Sequence, residues 1–374
     1  QGAGGPRARS PRAGSSRGCS PMAPSRGGRG ARAGLGLLAC LGLDGDGVCA
    51  KAASARADLF WRQGFLRVPG FADEREVAQL RSAMASLLQS WQKTAASGDG
   101  LAEASLSSLR SEGQEPDHGF LLDSAAKASL FLEPSAFDNA TGRLKPGITA
   151  ERAVRKVAHG LHFVEGPFSD YVHSAKVAEL VFELGWKRPL VVQTLYRLMP
   201  ALAAGVDLHQ DSATLYTEPP SVLGLWLALE EATTRNGCLQ VRRGSHNQPI
   251  RERLVRRRCA GREGVCLAFE PVGNASLQEA GAAPGRAPPA HPEDAFEAVE
   301  VGPGDLVVTH GALDHFSAAG TDPLRSRESV QVHVVEGGAH WPADNWLQYP
   351  PGLWFPPLER KKAPGDQQAG REDL

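Results

Sequence analysis

Cysteine is scarce in this 374-residue chain. Of the six, Cys19, Cys40 and Cys49 fall in the first fifty residues, and Cys238, Cys259 and Cys266 are scattered through the rest. No Cys-x-x-Cys occurs, so a disulfide framework is excluded as the organising device and the body reads as a protein of a reducing, intracellular compartment. No run of 18 apolar residues occurs either, which excludes an ordinary transmembrane helix. An excess of one charge is also missing: 41 Lys plus Arg against 42 Asp plus Glu give a net charge of −1, which speaks against a nucleic-acid binder. What remains is a chain of ordinary globular composition, 41% hydrophobic, expected to be a monomer.

The neutral balance conceals two unlike parts. Residues 1–43 carry seven arginines and no acid, so the remainder carries a formal charge of −8. The first 55 residues are rich in Gly, Ala, Ser, Pro and Arg and cannot bury enough apolar surface to order themselves. They read as a disordered leader or a targeting segment, and residues 22–50, starting at Met22, resemble a signal or organelle-targeting peptide. Residues 56–350 form the domain, with a helical part over 56–188 and a strand-rich part over 189–350. Residues 351–374 are a polar tail.

Asp73 with Glu76 forms a capping-box pattern, and Val77, Leu80, Met84, Leu87, Leu88 and Trp91 follow at helical spacing. Residues 95–118 read as a polar loop. A second helix is expected over 150–161, and a third from the N-cap Ser174 through Leu184. From Pro189 the period changes to that of strands, expected at 190–198, 222–229, 238–242, 296–301, 305–309 and 329–335. Asn236-Gly237 is a hairpin signal, and residues 272–294 read as an irregular insertion. Helices followed by a run of antiparallel strands imply an α+β, mainly β chain: a jelly-roll core flanked by helices.

The chemistry is concentrated at His209-Gln210-Asp211. On an extended segment residues i and i+2 point the same way, so an imidazole and a carboxylate converge. With one distant histidine they make a two-His, one-carboxylate set, which leaves open positions on Fe(II) for a bidentate cosubstrate and dioxygen. His315, at the turn after strand 305–309, is the third candidate, with His310 as its rival. Arg327 has the parity of Ser329, Gln331 and His333, and an inward arginine opposite such a site can grip a carboxylate. Arg325 shares that parity. His159 and His162 form a His-x-x-His with no acid or third ligand at a usual spacing, so a structural or pocket role is expected rather than zinc. The basic run Arg251, Arg253, Arg256, Arg257, Arg258 and Arg262 reads as a solvated surface segment, with attraction of an anionic substrate as the alternative.

His209-Gln210-Asp211, Leu215-Tyr216-Thr217-Glu218-Pro219, Leu223-Gly224-Leu225-Trp226, Asn236-Gly237-Cys238-Leu239 and Gly244-Ser245-His246 occur in this order. Together they resemble the phytanoyl-CoA dioxygenase family over about residues 58–348. The resemblance implies a double-stranded β-helix and Fe(II)- and 2-oxoglutarate-dependent oxygenation, with O2 as co-substrate and ascorbate as a candidate reductant. It implies His209, Asp211 and His315 as iron ligands. Arg327 and Ser317 would hold the distal carboxylate of 2-oxoglutarate, and Trp226 and Lys156 would also contact this cosubstrate. A carboxylate at Asp211 favours hydroxylation over halogenation, and the substrate would be a small molecule or an acyl-CoA. The alternative is a non-catalytic jelly-roll that binds metal or 2-oxoglutarate as a sensor or scaffold. The chain departs from the pattern at Leu195, where the family often has methionine.

Overall fold

A computed structural model describes residues 55–96, 118–132, 145–148, 153–199, 205–260, 263–273, 296–322 and 324–360. The arginine-rich head, nearly all of the 95–118 loop, most of the 272–294 insertion and the end of the tail lie outside the described residues.

The strands order themselves by alternation. In β13 (Arg327–Glu336), Val330, Val332 and Val334 turn to a large apolar cluster, while Arg327, Gln331 and His333 face the opposite way into a polar cleft. This strand lies at the centre of a seven-stranded antiparallel sheet ordered β1-β11-β6-β13-β4-β3-β2. Its members are β1 (Phe65–Val68), β2 (Ala128–Leu132), β3 (Val154–His159), β4 (Pro189–Met199), β6 (Leu223–Ala228) and β11 (Leu306–His310) beside β13. A second sheet, ordered β10-β7-β12-β5, contains β5 (Val206–His209), β7 (Leu239–Val241), β10 (Glu297–Val299) and β12 (His315–Ser317). The cleft is lined from both sheets, which is the jelly-roll arrangement. A separate hairpin pairs β8 (Glu252–Arg258) with β9 (Val265–Pro271).

Most of the helices cover the outer face of the large sheet, while the last, single-turn one lies at the cleft. Residues 55–63 form α1, Glu74–Ala96 α2, Gly119–Asp123 α3, Pro167–Val172 α4, Ala175–Glu183 α5 and Asp211–Thr214 the single turn α6. The capping box at α2 is reciprocal: the Asp73 N–H donates to Glu76 Oε2 at 3.0 Å, and the Glu76 N–H to Asp73 Oδ1 at 2.8 Å. Behind it, Val77, Leu80, Met84, Leu88 and Trp91 pack into the cluster that holds Tyr196, Leu225, Val330 and Val332. Burial of such a stripe, at about 25 cal/mol per Å² of apolar surface, fixes the helix far more strongly than its intrinsic propensity does.

Four expectations are corrected. Of the helix expected over 150–161, residues 154–159 are strand β3, because β2 and β4 pair with it on both sides and their ladders outweigh local helical spacing, and residues 150–152 lie outside the described residues. The part expected to be helical, 56–188, thereby supplies three of the seven strands of the large sheet. Asn236-Gly237 is a turn, with Gly237 at φ +83°, but it joins β6 to β7 in different sheets and makes no hairpin. The basic run is only partly a solvated segment: residues 252–258 are β8, Arg257 and Arg258 are exposed, Arg251, Arg253 and Arg256 are part-buried, and Arg262 lies outside the described residues. Arg251 pairs with Asp314, Arg253 pairs with Asp344 at 2.6 Å, and Arg256 Nε donates to the Trp346 carbonyl. Cys259 and Cys266 are not lone thiols. The hairpin register brings their Cα atoms to 5.0 Å, and a disulfide joins them.

Candidate metal and cosubstrate site

The antiparallel pairing of β5 with β12 sets His209 opposite His315, with ring centroids 4.2 Å apart. After His209 the chain stays extended through Gln210 (φ −114°, ψ 130°) and then enters α6 at Asp211. This folds the carboxylate back to the imidazoles. Asp211 Oδ1 lies 3.5 Å from His209 Nε2 and 3.7 Å from His315 Nε2. One donor atom from each of the three residues falls within 4.8 Å of the others.

Backbone carbonyls orient both rings. His209 Nδ1 donates to the Asp207 carbonyl at 2.7 Å, and His315 Nδ1 donates to the Leu313 carbonyl at 3.0 Å. A ring that donates from Nδ1 presents a lone pair at Nε2, the form a metal requires. Burial, with the neighbouring His209, pushes His315 down to about 4, so it is neutral at neutral pH. Burial alone would raise the Asp211 carboxyl, but the surrounding imidazoles of His315, His333 and His209 hold it well below its ordinary value. One carboxylate and two imidazoles on one face fit a divalent iron that keeps open positions.

Two features around Asp211 went unread in the sequence. His333 on β13 places Nε2 3.4 Å from Asp211 Oδ2, while its Nδ1 accepts from Gln193 Nε2 at 3.1 Å. The glutamine can only donate, so a neutral His333 must carry its proton on Nε2, towards the carboxylate. Gly224 provides the room: a Cβ there would lie 2.4 Å from Thr309 Oγ1 and 3.1 Å from Asp211 Oδ2. Alternation on β13 was the signal that could have picked out His333, because it shares the face of Arg327.

The same cleft is lined by Trp226, Ser317 and Arg327, and also by Arg197, which was not anticipated. Arg327 is 1% exposed, with its guanidinium 5.2 Å from the Trp226 ring centre and against Met199 Sδ. Its Nε and Nη1 have no hydrogen-bond partner. Burial and the nearby Arg197 push it down to about 9, which still leaves it charged at neutral pH. An uncompensated buried cation is costly, and a carboxylate in the cleft removes that cost. The donor set thus fits a 2-oxo acid as well as a metal. Arg325, its rival by parity, sits outside the strand and pairs at the surface with Glu231 and Asp322. His310, the rival of His315, lies elsewhere, its Nδ1 accepting from the Ala312 N–H and its ring against Trp61 and His246.

Lys156 does not line the cleft. It is partly buried on β3, in register with Arg197, with Nζ 4.4 Å over the Phe131 ring. Burial, with Arg197 and Arg155 nearby, pushes its amine down to about 7.

The profile of the family Phytanoyl-CoA dioxygenase (PhyH) matches residues 60–326. A phytanoyl-CoA dioxygenase of Arabidopsis thaliana is 32% identical over 304 residues, covering 81% of this chain and 95% of its own length. Phytanoyl-CoA dioxygenase domain-containing protein 1 of Bos taurus is 33% identical over 303 residues, covering 80% of this chain and 96% of its own length. Among solved structures, the non-heme alpha ketoglutarate dependent epimerase SnoN superposes with a TM-score of 0.48 at 15% identity, covering 83% of this chain and 93% of that one. The chain belongs to the phytanoyl-CoA dioxygenase family. It is an iron- and 2-oxoglutarate-dependent dioxygenase.

Proposed function

We propose that the chain hydroxylates a C–H bond of a small-molecule or acyl-CoA-type substrate and releases succinate and CO2. His209, Asp211 and His315 hold Fe(II) in this reading. Arg327 grips the distal carboxylate of 2-oxoglutarate with Ser317 beside it, and Trp226 forms the wall, while Lys156, outside the cleft lining, takes no direct part. Bound Fe(II), 2-oxoglutarate and dioxygen supply the oxidising power that no side chain provides. The protein binds, orients and shields. Arg327 fixes the direction in which a dicarboxylate lies, the two backbone carbonyls hold the histidine rings, and His333 restrains Asp211 Oδ2.

One observation carries this reading: a buried guanidinium whose Nε and Nη1 have no partner among the described residues shares a cleft with the His-Asp-His set. The names of the relatives support an acyl-CoA as the first substrate class to try. A succinate-release screen against acyl-CoAs, free acids and nucleosides, in Fe(II) and 2-oxoglutarate, tests it. Hydroxylated product in proportion to succinate is the expected result. A chain that binds Fe(II) and 2-oxoglutarate yet forms no succinate with any substrate would overturn it.

A further inference from the structure

We propose that Arg251 is a positioning residue that clamps together the two chain segments carrying the candidate metal ligands, acting through Asp314 and Gln210. The inference rests on the metal-site reading above. His209 and Asp211 come from one segment and His315 from another, and the β5–β12 ladder between them shifts register between His315 and Ser317. A ladder that shifts beside the site leaves the relative position of the two segments to be set by other ties.

Those ties converge on one residue, through its main chain on one side and its side chain on the other. The Arg251 N–H donates at 3.2 Å to Oε1 of Gln210, the residue between His209 and Asp211. Arg251 Nη2 donates at 2.7 Å to Oδ1 of Asp314, the residue before His315. Gln210 is 2% exposed, and its Nε2 donates at 2.9 Å to the Ala312 carbonyl on the His315 segment. Asp314 is 1% exposed. Arg242 donates to its other oxygen through Nε at 3.1 Å and through Nη2. The Asp314 main chain is held as well, its N–H donating to Ser245 Oγ at 2.9 Å and its carbonyl accepting from the Arg242 N–H at 3.0 Å. Thus Arg251 touches the residue inside the first ligand pair and the residue beside the third ligand, but no ligand itself. Outer partners of this kind set ligand orientation, and their loss typically costs about 10–100-fold in metal affinity.

The bland reading is that Arg251 merely pins the β8–β9 hairpin to the body. Arg253 pins the same hairpin through Asp344 at 2.6 Å and supplies the control. Co(II), whose visible absorption reports ligand geometry, is titrated into the full-length apo chain as wild type, Arg251→Leu, Arg251→Lys, Asp314→Asn and Arg253→Leu. Thermal unfolding of each apo protein is followed in parallel. Arg251→Leu and Asp314→Asn are expected to weaken Co(II) binding about 10–100-fold and to change the spectrum. Arg251→Lys, which keeps the charge and the backbone donor, should recover part of both. Arg253→Leu should lower thermal stability and leave affinity and spectrum as in wild type. Asp314→Asn retains the side-chain shape and so tests the clamp even if Arg251→Leu does not fold. Unchanged Co(II) affinity in Asp314→Asn or in a folded Arg251→Leu, or equal loss in Arg253→Leu, would overturn the clamp with the metal site intact. A wild-type chain that takes up no Co(II) would overturn the metal-site reading, and the clamp with it.

Discussion

His162 and His315 are both buried imidazoles kept neutral by desolvation, at about 3 and about 4, yet one sits in a wall and the other in a candidate metal site. His162 has both nitrogens engaged: Nδ1 meets Thr194 Oγ1 at 3.1 Å and Nε2 meets the Tyr349 hydroxyl at 2.9 Å. Its partner in the His-x-x-His, His159, bonds Ser124 Oγ through Nδ1 and packs its ring between Phe131 and Trp346. Neither faces a carboxylate in these contacts. His315 gives one nitrogen to a backbone carbonyl and aims the other at Asp211. What separates a ligand from a core histidine here is a nitrogen left over and an anion in front of it, and His-x-x-His spacing does not provide either.

The largest test of that difference removes the anion. Asp211→Ala should abolish 2-oxoglutarate turnover and reduce Fe(II) affinity by more than the ~10–100-fold lost with an outer partner. Equilibrium metal binding and succinate release read the two effects, and retention of tight Fe(II) binding would erase the contrast with His162. Next comes Arg327→Ala. A charge-assisted bond is worth about 1.5–3 kcal/mol, so the half-saturating 2-oxoglutarate concentration should rise about 10–100-fold while Fe(II) affinity holds. An equal fall in both would point to damage of the sheet instead.

On the other side of the comparison, His162→Ala should leave Fe(II) affinity untouched and cost about 1–3 kcal/mol of stability, because Thr194 loses a buried partner. Chemical denaturation with parallel metal titration separates the two. Acidification tests the same wall. His162 and His310 sit at about 3 and about 4 in the folded chain, against an ordinary value of 6.5, so below pH 6.5 the unfolded chain binds more protons. Stability should therefore fall between pH 6.5 and about 4, by roughly 1.4 kcal/mol per pH unit for each such histidine. In His162→Gln one histidine's share of that slope should vanish. The smallest effect is expected at Arg325→Ala: a surface pair is worth about 0–1 kcal/mol, and the 2-oxoglutarate requirement should stay at the wild-type value.

The site was more legible than the scaffold around it. His209 and Asp211 could be read because a two-residue spacing converges on any extended segment. Arg327 could be read because alternation on a β-branched strand assigns its face. His333 lay on that same face and was missed as a partner of Asp211, because its role depends on a carboxylate arriving from α6, more than a hundred residues earlier. Strand β3 was misread for a similar reason: Val154 and Val157 favour a strand while Arg155, Lys156 and Ala158 suit a helix, and the ladders to β2 and β4 settle it. Arg251 looked like one member of a basic run, whereas its two partners come from segments 41 and 63 residues away.

The sequence by itself determined the family, the strand-rich second half, the capping box of α2 and the residues of the candidate metal set, since each rests on local spacing or on ordered motifs. Tertiary structure decided which histidines keep a free nitrogen, which arginine is buried without an anion, and which cations are already paired. Those are properties of a side chain's surroundings, and the surroundings are assembled from strands distant in the chain.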